Sequence, residues 1–137
     1  MDDSGGNCYC GRVGCVEKVI SGRNLELFHE ATFGETKDLK QIYAEHLAGT
    51  SPNATFTINR LITYFGKAIA VVINILDPDA VVLGGGVGNI DLLYTEGLEE
   101  ARKYVFNQDL KTAFLKPSLG DSAGVFGAAF LVAASKE

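Results

Sequence analysis

The apolar positions of this chain follow two rhythms. Up to residue 76 they recur at helical steps of three and four, and beyond it they gather into short β-prone runs. Cys15 to Ile20 reads as a short helix stopped by Ser21-Gly22, and Arg23 to Ala31 resumes with Leu25, Leu27 and Phe28. The spacing predicts a helix from Thr36 to Leu47, with Thr36 as N-cap and Gly49 as stop. Leu39, Ile42, Tyr43 and Leu47 share one of its faces. After a loop over Thr50-Ser51-Pro52-Asn53, the longest helix is predicted from Ala54 to Leu76. Its broad apolar face carries Ile58, Leu61, Ile62, Phe65, Ile69, Val72, Ile73 and Leu76. Asp77-Pro78-Asp79 ends it, because a residue before proline is pushed out of helical geometry.

Ala80 to Leu83 is wholly apolar and is predicted as a buried strand opening into Gly84-Gly85-Gly86-Val87-Gly88. Helix is expected again from Leu92 to about Asn107, strand over Thr112 to Pro117, and a turn over Ser118 to Gly124. A helix rich in small residues follows from Val125 to Ala134. The order of elements predicts an α/β fold. A length of 137 residues without linker or repeat predicts one domain, residues 1–137.

Composition narrows the function. Apolar residues make up 47% and charged residues 21%, as in ordinary globular proteins. A net charge of -5 with no basic run longer than Arg102-Lys103 argues against nucleic acid as a partner. Unbroken apolar stretches such as Ala68 to Ile73 fall far short of the ~20 residues a membrane span needs, so no membrane association is expected. The acidic, polar start lacks the basic and apolar regions of an export signal, and with reduced thiols it points to the cytoplasm.

Candidate chemistry is densest at Cys8-Tyr9-Cys10-Gly11-Arg12-Val13-Gly14-Cys15-Val16-Glu17. Three cysteines in so short a span, with glycines to turn the backbone, can converge on one tetrahedral metal ion, and thiolates favour zinc. Cys8, Cys10 and Cys15 are the expected ligands, one short of the four that a closed site takes. His29, Asp2, Asp3 or a water are the candidates for a makeshift fourth, although His29 is expected to be a solvated helix residue. Gly84, Gly85 and Gly86 at the end of a strand form either a tight turn or a loop where backbone N–H groups meet a phosphate, helped by a following helix N-terminus. Neither the dinucleotide fingerprint nor the P-loop spacing is present. At Ala123-Gly124 the small residues serve either helix packing or close approach to a nucleotide, and Gly127 to Ala129 permit tight helix packing.

The run C-x-C-G-x-x-G-C-x-E, followed by Ser21-Gly22, resembles the zinc signature of the ROK family of sugar kinases and repressors. Asp77-Pro78-Asp79 through Gly84-Gly85-Gly86, and Gly120-Asp121-Ser122-Ala123-Gly124-Val125-Phe126-Gly127-Ala128-Ala129, resemble the family's later segments in the same order. The resemblance covers essentially the whole chain. It implies the C-terminal lobe of an actin-like ATPase (ribonuclease H-like) fold with a zinc knuckle at its N-terminal end. Residues 1–22 would then form the knuckle and sugar side, and residues 77–137 the nucleotide side. Glu17 would accept hydrogen bonds from sugar hydroxyls, and Gly84, Gly85, Gly86 and Gly124 would line the nucleotide. Structural zinc is implied here, with ATP and Mg2+ in the complete enzyme and a hexose as substrate. The family's fourth zinc ligand, an upstream histidine, would fall just before Met1.

The resemblance places the phosphate loop and catalytic aspartate in a first lobe that these residues do not contain, so no catalytic residue is expected in this chain. The leading expectation is half of an ATP-dependent hexose kinase of glucokinase type, with fructose or N-acetylhexosamine as other substrates, inactive alone. A sugar-sensing repressor without its helix-turn-helix and a non-catalytic binding module are the alternatives. Loss of a lobe would expose an apolar face, which suggests a homo-oligomer. Replacing Cys10 with Ser is expected to lower bound zinc and to destabilise the segment from Cys8 to Gly22, since structural zinc contributes folding energy directly. Metal analysis and melting check this, and no change in either would remove the knuckle.

Overall fold

The computed structural model describes residues 2–107, 109–118, 120 and 123–133. Helix α4, Pro52–Leu76, is its axis. Ser51 caps this helix by accepting from the Ala54 amide, and Pro52 occupies the first turn, where its missing N–H is no loss. Leu61, Phe65 and Ile58 lie on its buried face, which receives α1 (Val16–Ile20), α2 (Gly22–Phe33), α3 (Leu39–Leu47) and α5 (Glu96–Arg102). One buried cluster joins Leu25 to Leu61, Phe65, Ile90 and Leu93, and a second joins Ile42 to Ala54, Ile58 and Ile62. Leu39, Tyr43 and Leu92 pack against both. By length and composition α4 matches a membrane span, but its buried face is the core of this fold.

Strands β1 (Ala80–Val82) and β2 (Ala113–Leu115) pair in parallel, in the register Val81↔Phe114. Asp77 closes α4 in the left-handed region at φ 43°, a conformation aspartate tolerates better than most residues, and its amide bonds Ile73 O at 2.8 Å. Two 3-10 turns, Gly86–Asn89 and Asp91–Tyr94, then lead to α5. Helix α6 spans Ala123–Ala133.

Several expectations need correction. The cap of α3 is Asp38 rather than Thr36. Its carboxylate accepts from Gln41 N at 2.7 Å while the Gln41 side chain accepts from Asp38 N at 3.1 Å, a reciprocal box that outcompetes a lone hydroxyl. Thr36 instead donates to Glu30. Leu47, Val72 and Leu76 are exposed rather than buried, as is Leu27. β1 is not a buried strand. Val82 is 58% exposed, because β2 is its sole described partner and nothing described covers that part of the sheet. The helix expected from Leu92 to Asn107 shrinks to α5, since 3-10 turns take up its beginning. No described residue covers α6, whose Val125, Phe126, Phe130 and Leu131 are all exposed. A side chain added at Gly124 or Gly127 would meet nothing within 4 Å. The expected turn residues Leu119, Asp121 and Ser122, and the helix end at Ala134, lie outside the described residues.

His29 is fully buried, not solvated. It falls four residues after Leu25 on the inward face of α2 and meets Thr57 Oγ1 through Nδ1 at 2.8 Å. Thr57 donates its own proton to Asn53 O. His29 Nε2 faces Glu35, which also accepts from Lys37 at 2.6 Å and Asn53 at 2.7 Å. Lys37 first, then Asn53 and His29, hold the Glu35 carboxyl at about 2, against an ordinary 4.5. A depressed carboxyl stabilises the fold above its unfolded value, and that stabilisation is lost as pH falls from about 4.5 toward about 2. Glu35→Gln is therefore expected to flatten the stability profile in that acid window, as read by denaturant titration at several pH values. An acid limb as steep as the parent's would assign the loss to other groups.

Candidate sugar and metal site

The knuckle is a small backbone device. Asn7 and Val13 form an antiparallel bridge, Cys8 N donates to Arg12 O at 2.8 Å, Gly11 N returns to Cys8 O at 3.0 Å, and Gly14 N bonds Gly6 O at 3.0 Å. Gly14 sits at φ +66°, and a side chain there would stand 2.1 Å from the carbonyl oxygen of Asp2. Only glycine fits that position. Cys15 is the N-cap of α1 but makes no side-chain capping bond, so its sulfur stays with the knuckle.

The sulfurs of Cys8, Cys10 and Cys15 all lie within 4.8 Å of one another, and Cys10 and Cys15 are 3.4 Å apart. Zinc with sulfurs at ~2.3 Å would set them roughly 3.8 Å apart, so the donor set fits such an ion. The Arg12 amide, followed by Cys15 and Cys8, lowers the Cys10 thiol below its ordinary value. Hydrogen bonding to Cys10, then to Cys8, holds the proton on Cys15 and raises it to about 11, with charge repulsion between neighbouring thiolates adding to this. A bound cation would reverse that penalty. Among the described residues none of the expected fourth ligands joins the group. His29 is committed to Thr57 and Glu35, and Asp2 to Ser4, Tyr64 and Arg60.

Glu17 stands in the first turn of α1, two residues past Cys15. Its Oε1 accepts from Asn24 Nδ2 at 3.1 Å and lies 3.4 Å from Ser21 Oγ, and Asn24 also donates to Ser21 Oγ at 2.7 Å. Glu17 lines a cavity of about 500 Å3 that also reaches Gly84, Val87 and Gly88. A second cavity of about 930 Å3 shares Ser21, Gly84 and Val87, and takes in Gly85, Gly86, Arg23 and Lys40. The structure thus brings Glu17 and Gly84 to the wall of one hollow, and Gly85 and Gly86 to the hollow beside it. Gly124 lines neither.

The glycine loop itself departs from expectation. It does not feed a helix N-terminus, because 3-10 turns follow, and α5 opens with the acidic Glu96 and Glu99. Gly88 is the sterically obligatory glycine, since a side chain there would come within 2.3 Å of Leu83 O. At Gly84 and Gly86 a side chain would touch nothing within 4 Å, so no described part of the chain requires glycine there. Sequence pattern also gave no warning of Ser21 and Asn24 as partners of Glu17, or of Arg60 and Tyr64 beneath the knuckle. Polar residues four apart on a long apolar helix were the available signal for that last pair.

The chain thus joins a cysteine cluster, a carboxylate held by Ser21 and Asn24, and an open glycine loop. The chain belongs to the ROK family, whose profile matches residues 1–135. It is 37% identical over 124 residues to an N-acetyl-D-glucosamine kinase of Vibrio atlanticus, covering 90% of this chain and 41% of that protein. It superposes on a ROK hexokinase of Thermus thermophilus with a TM-score of 0.80 at 30% identity, over 98% of this chain and 46% of the other. A ROK glucokinase of Streptomyces griseus, solved with glucose and AMPPNP, gives 0.79 at 25% identity, over 96% and 48%. A ROK transcriptional regulator, homologous to the E. coli MLC protein, gives 0.70 at 26%, over 85% and 32%. Its neighbours among ROK sugar kinases have an actin-like ATPase fold, and the chain spans less than half of their length.

Gly14→Ala is expected to cost at least about 1–3 kcal/mol from backbone strain alone and to open the knuckle. Loss of metal binding together with faster amide exchange at Cys8 and Gly14 checks it. A variant that retains both would show that Asp2 can move aside.

Proposed function

We propose that these residues are the C-terminal lobe of an ATP-dependent hexose kinase, which moves the terminal phosphoryl group of ATP to a sugar hydroxyl. A glucose or N-acetylhexosamine substrate is favoured. The observation that carries this reading is the shared hollow, which Glu17 and Gly84 both line, with the cysteine cluster joined to it through α1. Glu17 serves as an acceptor for sugar hydroxyls, and Ser21 and Asn24 hold it for that task. Gly84, Gly85 and Gly86 let phosphate approach the backbone. Cys8, Cys10 and Cys15 hold a structural zinc. The glucose and AMPPNP of the Streptomyces griseus relative support such ligands here. General-base and Mg2+ chemistry belongs to a first lobe, and none of Asp77, Asp79 or Asp121 is assigned to it. The exposed apolar surface around Ile75, Leu76, Val82 and α6 is the face that this lobe covers. The site belongs to a cytoplasmic protein.

The test is steady-state kinetics of the protein with both lobes. Glu17→Gln is expected to raise the KM for sugar by about ten-fold or more, the worth of a charged hydrogen bond, and to leave the KM for ATP nearly unchanged. The 137-residue chain alone is expected to turn over no sugar. Equal sugar KM values would remove Glu17 from the site. Sugar-responsive DNA binding without phosphorylation would replace the kinase with a repressor.

A further inference from the structure

One group of side chains on α4 serves neither the apolar core nor the hollow beside Glu17. Arg60 and Tyr64, one turn apart, face the N-terminal residues. The Tyr64 hydroxyl donates to Asp2 Oδ2 at 2.5 Å, and Arg60 Nη1 lies 3.8 Å from Asp2 Oδ1. The guanidinium lies over the Phe28 ring at 4.2 Å and beside the Tyr64 ring at 4.9 Å, with Lys67 5.1 Å from the same tyrosine ring. The Arg60 side chain is 9% exposed, and its Nε has no acceptor among the described residues. A buried cation with an unfilled donor is a poor stabilising device, so packing alone does not account for it.

Asp2 carries the contact onward. Its Oδ1 accepts from the Ser4 amide at 3.0 Å and from the Ser4 hydroxyl, its amide donates to Gly14 O at 3.3 Å, and its carbonyl accepts from Gly5 N at 3.0 Å. The same carbonyl fills the space left by the missing side chain of Gly14. Ser4 and then Tyr64 hold the Asp2 carboxyl at about 2, so it stays an anionic acceptor near neutrality. Gly14 precedes Cys15, and Glu17 lies two residues beyond. The chain of contacts therefore runs from the rigid core helix to a metal ligand and then to the sugar-facing carboxylate.

We propose that Arg60 and Tyr64 are positioning residues, which lock the Gly14 end of the knuckle to α4 through Asp2 and so fix Cys15 toward the metal and Glu17 toward the sugar. This rests on the metal and sugar reading above. The test uses Tyr64→Phe, which removes one hydroxyl and keeps the ring, in the protein with both lobes. Zinc loss to a chelator, amide exchange, and the KM values for sugar and ATP are followed together. The expected result is zinc release at least about ten-fold faster, in the range seen when support for a metal ligand is removed. Knuckle amides such as Cys8 and Gly14 should exchange faster while those in the middle of α4 do not, and the KM for sugar should rise more than that for ATP. Parent-like zinc release, exchange and KM ratio would overturn the tether and leave the zinc site standing. If the parent takes up no zinc, the metal reading fails by itself, and exchange and KM decide the tether. Faster knuckle exchange with a raised sugar KM upholds it, and parent-like values overturn it.

Discussion

Everything in this fold is referred to the buried face of α4. Leu61 and Phe65 on that helix meet Leu25 from α2 and Leu93 from the second 3-10 turn, so one stripe organises elements drawn from both ends of the chain. The approach of α5 is close enough that a side chain at Gly66 would come within 2.6 Å of Glu100, and one at Gly97 within 3.0 Å of Phe65. Two helices that meet so closely gain dispersion contacts along their backbones and have little freedom to slide. The same helix supplies Arg60 and Tyr64 to the knuckle, so one rigid body is the reference for core and site alike.

Sulfur and carboxylate play complementary parts. Three thiols crowded within 4.8 Å resist losing all their protons, as the raised Cys15 shows, and a divalent cation removes that conflict. Glu17 is too exposed to be fixed by burial. Asn24 and Ser21 hold its outer end, and the short α1 joins its backbone to Cys15. Rigidity at the proposed sugar side thus rests on hydrogen bonds, and on the metal ligation proposed for the cysteines, instead of on core packing.

How far the sequence disclosed this depends on what kind of force set each feature. Periodicity located α4 to within two residues of its observed start and to its observed end, because apolar burial decides a long helix. The cysteines converge as their spacing implied, because the glycine turns between them are local. Local pattern misjudged His29, whose burial follows from facing Thr57 across two helices. It also misjudged Val82 and the α6 residues, where apolar character was taken as a sign of burial that the described elements do not provide. The capping box of Asp38 and Gln41 was readable as Asp-x-x-Gln, and the hydroxyl of Thr36 obscured it. Arg60 and Tyr64 were legible only with α4 and the knuckle side by side, since their partner Asp2 lies far away in sequence.

The parallel pairing of β1 with β2 has a kinetic consequence. Ala80 meets Ala113 only after the chain has travelled through both 3-10 turns and α5, whereas α3 and α4 are joined by a short turn. Closing the longer loop carries the larger entropy, and non-local strand pairs form after local helical contacts. Two short strands with exposed outer residues return little for that closure. The helices around α4 therefore form the early, persistent folding unit. The strand pair and the glycine loop that it launches form late and open first, which places the proposed phosphate-facing edge in the least protected part of the energy landscape.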